Sequence, residues 1–490
     1  MEWWFSDGLW ATDYGVARFI LQRGVAGLFA VAFLSSLNQF PALLGERGLL
    51  PAPELLRHPQ YLRGPTLFRR IRYTDRRLRI VCGVGIAIAL SLVVGLPQLG
   101  PPWVPMLAFL ALYGLYMSVV HIGQTFYGFG WEMLLLEAGF LVAFLGSNDQ
   151  PPPATILVLN AWLVFRLEFG AGMIKIRGGR EWRDLSALTY HHETQPMPGP
   201  LSRQAHLLPR WFHECEVLAN HVAQLIVPWL LFAPQPIASI AAAVVILTQL
   251  WLIVTGNFAW LNWLTVVLAC GAISDRVIER VIPGVRIEGP PAGALDGLVT
   301  SPLGWWLLVT LAVTALLVVL SWWPLRNLFS RRQLMNASFN RWQLANAYGA
   351  FGTVTKRRIE VVIEASLADD PDEDAWVEYE FKGKPGEVHR IPRQFAPYHL
   401  RLDWLMWFLP LGTVHERWFH RLLQKLLEAD RATLRLLRVD PCAGVRPRWI
   451  RVRTYHYRFA THAEFRATRQ RWIRTPMRIV IPAIGLHSAA

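Results

Sequence analysis

Runs of about 20 apolar residues recur along the first two-thirds of this chain, and no other feature limits its fold as much. In lipid, every backbone N–H and C=O must be satisfied within the protein, so a spanning run of this kind has to be helical. About 20 residues is also the length that crosses a bilayer's hydrocarbon core. Candidate spans lie near residues 18–40, 79–97, 103–121, 128–146, 154–176, 214–233, 236–255, 257–273 and 303–323. Two are weak: 128–146 is interrupted by Glu132 and Glu137, and 214–233 carries a polar stripe. Charged residues make up 17% of the chain, below the roughly 25% of a soluble protein. The expected fold is an α-helical polytopic membrane protein of eight or nine spans over residues 1–330. A mixed α/β, partly β-sheet, soluble or membrane-peripheral domain over 331–490 follows it.

Past residue 330 the sequence period changes. RRIEVVIEAS, AWVEYEFKG and WIRVRTYHYRFA alternate polar and apolar residues, as half-buried strands do. HERWFHRLLQKLLEADRATLRLL reads as an amphipathic helix and LADDPDEDA as a turn or exposed loop. Residues 331–490 hold 27 Lys and Arg against 16 Asp and Glu, so they carry most of the net charge of +14. A basic aqueous face suits anionic lipid headgroups or an acidic partner. No nucleic-acid module is present, and a nucleic-acid partner is not expected. The Pro- and Gly-rich segment 274–302 reads as an extramembrane loop. Loops 45–79 and 177–212 are Arg-rich, which places both in the cytoplasm. Nine spans would bring residues 331–490 to that side too. The N-terminal MEWWFSDGLWATDYG lacks the basic start of a cleavable signal, so the first span is expected to act as an uncleaved anchor. Cys82, Cys215, Cys270 and Cys442 show no paired spacing, which points away from a disulfide framework or a zinc-binding motif.

The stretch richest in chemistry is Phe165–Gln195. Arg166, Glu168 and Lys175 fall inside an apolar span, where a charge costs roughly 2.5–3.5 kcal/mol on insertion scales. Each therefore needs a partner or a task. Glu168 and Lys175, seven apart, share one helical face, with the small residues Ala171 and Gly172 between them. Two readings follow. One is structural, with paired charges and close helix packing. The other is a polar site in which Lys175 acts as acid, base or anion binder, because a buried lysine shifts its pKa readily. Glu132 and Glu137 do not share a face, and the expected pairings are Glu137 with Arg166 and Glu132 with Lys175. Glu216, Asn220 and Gln224, four apart, form a stripe expected to face a cavity or a helix interface. The loop that follows the Lys175 span brings His191, His192, Glu193, His206 and His213 together, but without HExxH or CxxC spacing. No metal and no cofactor is expected. Candidate catalytic residues are thus Lys175, Glu168, His191, His192 and Glu193. GxGxxG, P-loop and GxSxG motifs are absent, and no inverted repeat supports a transporter. Asn257 and Asn262 are expected to cap helix ends.

Several long segments carry a family resemblance. FRLEFGAGMIKIRGGREWRDLSALTYHHETQPMPGPLS, GNFAWLNWLT, NAYGAFGTVTKRRIEVVIEAS, WVEYEFKGKPGEVHRIPRQFAPYHLRLDWLMWF and WIRVRTYHYRFA closely resemble the lipase maturation factor family, over about Arg18 to Phe459. Animal members are endoplasmic-reticulum membrane proteins that help homodimeric secreted lipases fold and assemble. The resemblance implies a membrane-embedded maturation factor whose C-terminal domain contacts a secreted lipase or another client. The client-binding residues expected there are Tyr398, Arg401, Asp403, Trp404 and Trp407. It also implies a lumenal or periplasmic C-terminal domain, opposite to the side that the charge pattern gives. The Arg-rich, Lys-poor composition suggests a bacterial inner membrane as host, or the endoplasmic reticulum in a eukaryote. A weaker likeness, in Lys175, Trp182 and Pro196–Pro200, is to the membrane domain of vitamin K-dependent carboxylases. It implies the alternative of an integral membrane enzyme acting on a lipid-soluble or polypeptide substrate.

Overall fold

The computed structural model describes residues 9–285 and 304–486. Its helical part begins with α1 (Gly15–Leu44), α2 (Asp75–Val94), α3 (Trp103–Val120), α4 (Gly130–Val142) and α5 (Ala154–Arg177). After a folded loop that contains α6 (Leu188–Thr194) come α7 (Arg210–Leu225), α8 (Ile237–Thr255), α9 (Leu261–Ala269) and α10 (Gly304–Leu320). Local signals set the ends. Thr74 caps α2 by accepting from the Arg77 N–H, and Gly95 closes it at φ +89°, a left-handed conformation that favours glycine.

Among the described residues, six helices are long and apolar enough to cross a membrane. They are α1, α2, α3, α5, α8 and the stretch Gly304–Leu328. A seventh follows if Leu261–Ala272 and Asp275–Val281, bent by 104°, form one span. The chain is an integral membrane protein, with fewer full-length spans than the eight or nine expected. The two weak candidates and the one at 257–273 account for the difference. α4 has 13 residues, a length of about 20 Å, against a hydrocarbon core of about 30 Å. Glu132 and Glu137 are both buried in it, so protein rather than lipid surrounds them. α7 stops at Leu225, and a separate short helical turn holds Pro228. The candidate at 257–273 yields only α9 and a 3-10 turn before the bend. Of the expected loop 274–302, residues Asp275–Val281 are helical, and 286–303 lie outside the described residues.

The C-terminal part holds one antiparallel sheet in the order β2-β1-β3-β4. Its strands are β1 (Arg358–Ser366), β2 (Val377–Glu378), β3 (Trp449–Phe459) and β4 (Trp472–Ile484). The three alternating motifs supply β1, β2 and β3. β4 adds an edge strand that the sequence reading lacked. Glu364 lies opposite Arg451 in the register and pairs with it. Between β2 and β3 come α11 (Arg401–Met406) and α12 (Arg417–Leu427). α12 buries Trp418, Phe419, Leu422, Leu423, Leu426 and Leu427, as its amphipathic pattern requires.

A single apolar core joins the two parts, running from Phe33, Tyr116 and Trp260 to Trp404, Ile363 and Ile450. Buried ion pairs reinforce it. Arg401 donates to Glu132 across 2.5 Å and to the Phe126 carbonyl, and it lies 3.5 Å from the centre of the Tyr127 ring. Glu137 pairs with Arg166, as expected, and also accepts from Tyr348 Oη and the Asn346 backbone. The expected partner of Glu132 was Lys175. Arg401 takes that place because the folded C-terminal part seats it beside α4.

Candidate functional site

The polar residues of α5 meet those of three other helices around a cavity of about 290 Å³. Lys175 Nζ donates to Asn220 Oδ1 at 2.8 Å and to Gln224 Oε1 at 2.9 Å. Gln224 Nε2 donates in turn to Glu168 at 3.2 Å. Glu168 also accepts from Gln249 Nε2 at 2.7 Å, and Gln249 Oε1 accepts from Asn262 Nδ2 at 2.9 Å. The six side chains form one hydrogen-bonded chain across α5, α7, α8 and α9. Glu168 and Lys175 share a face but are bridged by Gln224 rather than in direct contact. The Lys175 ammonium also sits 4.6 Å from the centre of the Trp182 ring. Each buried charge is therefore compensated, as membrane depth demands. Much of the remaining wall is apolar, including Leu167, Leu188, Leu252 and Phe258.

The stripe on α7 faces this cavity over its whole length. Asn220 and Gln224 serve Lys175, and Glu216 lies toward the loop. Glu216 Oε1 accepts from Trp251 Nε1 at 2.5 Å, and Oε2 lies 3.3 Å from His192 Nε2 and 3.5 Å from His213 Nδ1. His191 lines the cavity between the rings of Phe258 and Phe351. Burial first, then the neighbouring His192 and Lys175, push its imidazole down to about 3, so it is neutral at physiological pH.

Glu193 does not join them. Its carboxylate accepts from the Phe459 N–H at 2.7 Å and lies 3.4 Å from His206 Nε2, which ties the loop to the end of β3. Of the five catalytic candidates, four line the cavity: Lys175, Glu168, His191 and His192. Asn257 and Asn262 cap no helix. Asn257 accepts from the Phe395 and Ala396 N–H groups, and Asn262 closes the polar chain. Gln249 and Trp251 were missed, since a lone polar residue in the apolar α8 gives only a weak signal. The proximity of His213 to Glu216 was legible, at a helical spacing of three.

The residues expected to meet a client divide by burial. Arg401, Asp403 and Trp404 are buried: Arg401 serves Glu132, and Asp403 accepts from the Gly383 N–H. Burial, the largest effect on Asp403, raises its carboxyl to about 6. Tyr398 and Trp407 are partly exposed, and Trp407 Nε1 donates to the Thr194 carbonyl.

Comparison with known families covers both parts. The family described as the lipase maturation factor transmembrane domain matches residues 16–280, and that described as the lipase maturation factor C-terminal domain matches 344–482. Lipase maturation factor 1 of Homo sapiens is 38% identical, with 97% of this chain and 88% of the relative aligned. That of Mus musculus is 37% identical over 94% and 85%. Lipase maturation factor 2 of Xenopus laevis is 28% identical over 91% and 79%. No solved structure matches.

Proposed function

The chain belongs to the lipase maturation factor family, and from that premise we propose that it is a membrane-embedded maturation factor assisting a secreted lipase or similar client. The observation that carries this is the match through both parts, since 97% of the chain aligns with a relative named for lipase maturation. The comparisons give no support to the carboxylase-like alternative. Under this reading the polar chain around Lys175 and Glu168 is scaffold that holds four helices in register. Tyr398 and Trp407, the half-buried members of the expected set, are the client-facing ones. The division at residue 330 is one of sequence character, with the two parts working as a single body.

The same reading takes the chain as making nine passes between two ends of the helical bundle, three of them by short or broken helices. Contacts at each end support it. At one end Arg18 of α1 donates to the Ser147 carbonyl, Asp275 accepts from the Gly15 N–H, and Gln235 reaches the Ala272 carbonyl. At the other, Gln39 of α1 donates to the His399 carbonyl, Tyr113 of α3 to the Trp342 carbonyl, and Gly179 beyond α5 to the Gly352 carbonyl. Arg417 of α12 meets Glu54 there as well. Both Arg-rich loops and residues 344–482 then lie on one side, in a bacterial inner membrane or its eukaryotic counterpart.

The test is co-expression with a homodimeric secreted lipase in a host lacking endogenous factor. Active lipase per mass of secreted lipase should fall when this chain is withheld and return when it is supplied. Equal specific activity in both cases overturns the proposal. Reporter fusions in loop 45–79 and after Ile484 should report the same side, and opposite sides would refute the nine passes.

A further inference from the structure

The most convergent group of donor atoms outside the polar chain is His192, His213 and Glu216. One ligand atom from each lies within 4.8 Å of the others, and His192 and His213 are buried while Glu216 is half-buried. His213 and Glu216 stand one helical turn apart on α7, and α6 brings His192 to them.

The geometry points to a binding site for one divalent transition-metal ion of the zinc type, held by His192 Nε2, His213 Nδ1 and Glu216 Oε2. This goes beyond the maturation-factor reading and does not depend on it. Three observations carry it. First, the edge of a tetrahedron with metal–ligand bonds near 2.1 Å is about 3.4 Å. The distances from Glu216 Oε2 to His192 Nε2 and His213 Nδ1 are 3.3 and 3.5 Å. Second, outer contacts orient two of the three ligands as they do around bound metals, while His192 Nδ1 has no partner among the described residues. His213 Nε2 faces the His206 carbonyl at 3.3 Å, which makes Nε2 the protonated nitrogen and leaves a lone pair on Nδ1. Trp251 Nε1 holds Glu216 Oε1 at 2.5 Å and turns Oε2 toward the two imidazoles. Third, His213 Nδ1 is a buried nitrogen with no hydrogen-bond partner among the described residues. In the neutral ring it is an acceptor standing 3.5 Å from a carboxylate oxygen, and a cation between the two resolves the conflict. Two imidazoles and one carboxylate are a donor set that zinc accepts, with a fourth position left for another ligand. His192 and Glu216 line the 290 Å³ cavity, so that position opens into it. Water fills it, or an oxygen donor from a molecule in the cavity.

The intact protein, carrying a tag without histidines and purified without chelator, would be analysed for metals by mass spectrometry. The expected content is about one zinc per chain. Glu216→Gln and His213→Ala should lose it while staying monodisperse. Trp251→Phe, which alters a positioning residue, should weaken zinc affinity by about 10–100-fold, measured by chelator competition. Should the ligand variants fail to fold, the native chain still decides the matter: after dialysis against chelator its melting temperature should drop, and added Zn²⁺ should restore it. Cobalt substitution should give the visible bands of a four-coordinate site. Zinc well below one per chain together with a melting temperature indifferent to Zn²⁺ overturns the proposal. So does zinc retained in the two ligand variants, or iron in place of zinc.

Discussion

Replacing Arg401 by methionine should unfold this protein far more readily than its position in the C-terminal part suggests. Its partner Glu132 lies in the helical part, and both side chains are fully buried, at 0% exposure. No solvent discount applies to such a pair. Removing one member of a buried pair costs about 3–5 kcal/mol, because the other charge is left stranded. That corresponds to roughly a 200- to 5,000-fold loss in the ratio of folded to unfolded protein. The double variant, with Glu132→Gln added, removes the stranded charge and should be more stable than Arg401→Met alone. Arg417→Met is the control: its partner Glu54 is 43% exposed and its own side chain 63%. It should cost under about 1 kcal/mol. Denaturant titration followed by tryptophan fluorescence measures these three variants, the Glu132→Gln single variant and the native chain. Strict additivity of the two single changes would refute the argument, since the pair would then contribute nothing through its own contact.

Asp403 gives a pH-dependent prediction. Its carboxyl is raised to about 6 in the fold, from an ordinary 3.8, so the folded chain holds that proton more tightly than the unfolded one. Stability should fall between about pH 4 and pH 6, by about 3 kcal/mol, and level off above. Asp403→Asn should therefore gain on the native chain at pH 7.5 relative to pH 4.5, and melting curves showing the same difference at both pH values would count against it. Gly178→Ala should be strongly destabilising, because its Cβ would come 2.1 Å from the Gly352 carbonyl oxygen, and melting or yield measurements would reveal native-like behaviour if the contact is unimportant. Lys175→Met should lower stability by leaving the Glu168 network without its cation. A variant that melts like the native chain but fails to support the client would shift Lys175 from scaffold to chemistry.

Residues near one another in sequence gave the parts of this fold that could be read in advance. The apolar runs located the six long helices, because hydropathy over about 20 residues is a strong signal. Glu137 with Arg166 was legible because few other charges lie at that depth. The face shared by Glu168 and Lys175 followed from helical spacing, although the bridge through Gln224 depended on how α7 docks. Arg401, Asp403 and Trp404 read as a polar, aromatic surface, and only tertiary contacts, with α4 for Arg401 and Trp404 and with Gly383 for Asp403, show that they are interior. β4 was hidden because Pro476 and Pro482 break its run, and because its outward residues are basic or apolar without clean alternation.

The bond between Glu132 and Arg401 also sets an order of events during synthesis. The two residues are 269 positions apart. At 5–20 residues per second, the ribosome takes roughly 13–54 s to make the arginine after the glutamate. For that interval Glu132 lacks the cation that pairs with it in the finished fold. Insertion of this short helix must therefore wait, stay shallow or enter protonated until the end of the chain has been translated and folded back. A nascent chain that stalls before residue 401 would display an unfinished helix to the membrane's proteases, so the last quarter of the protein certifies a helix made long before it.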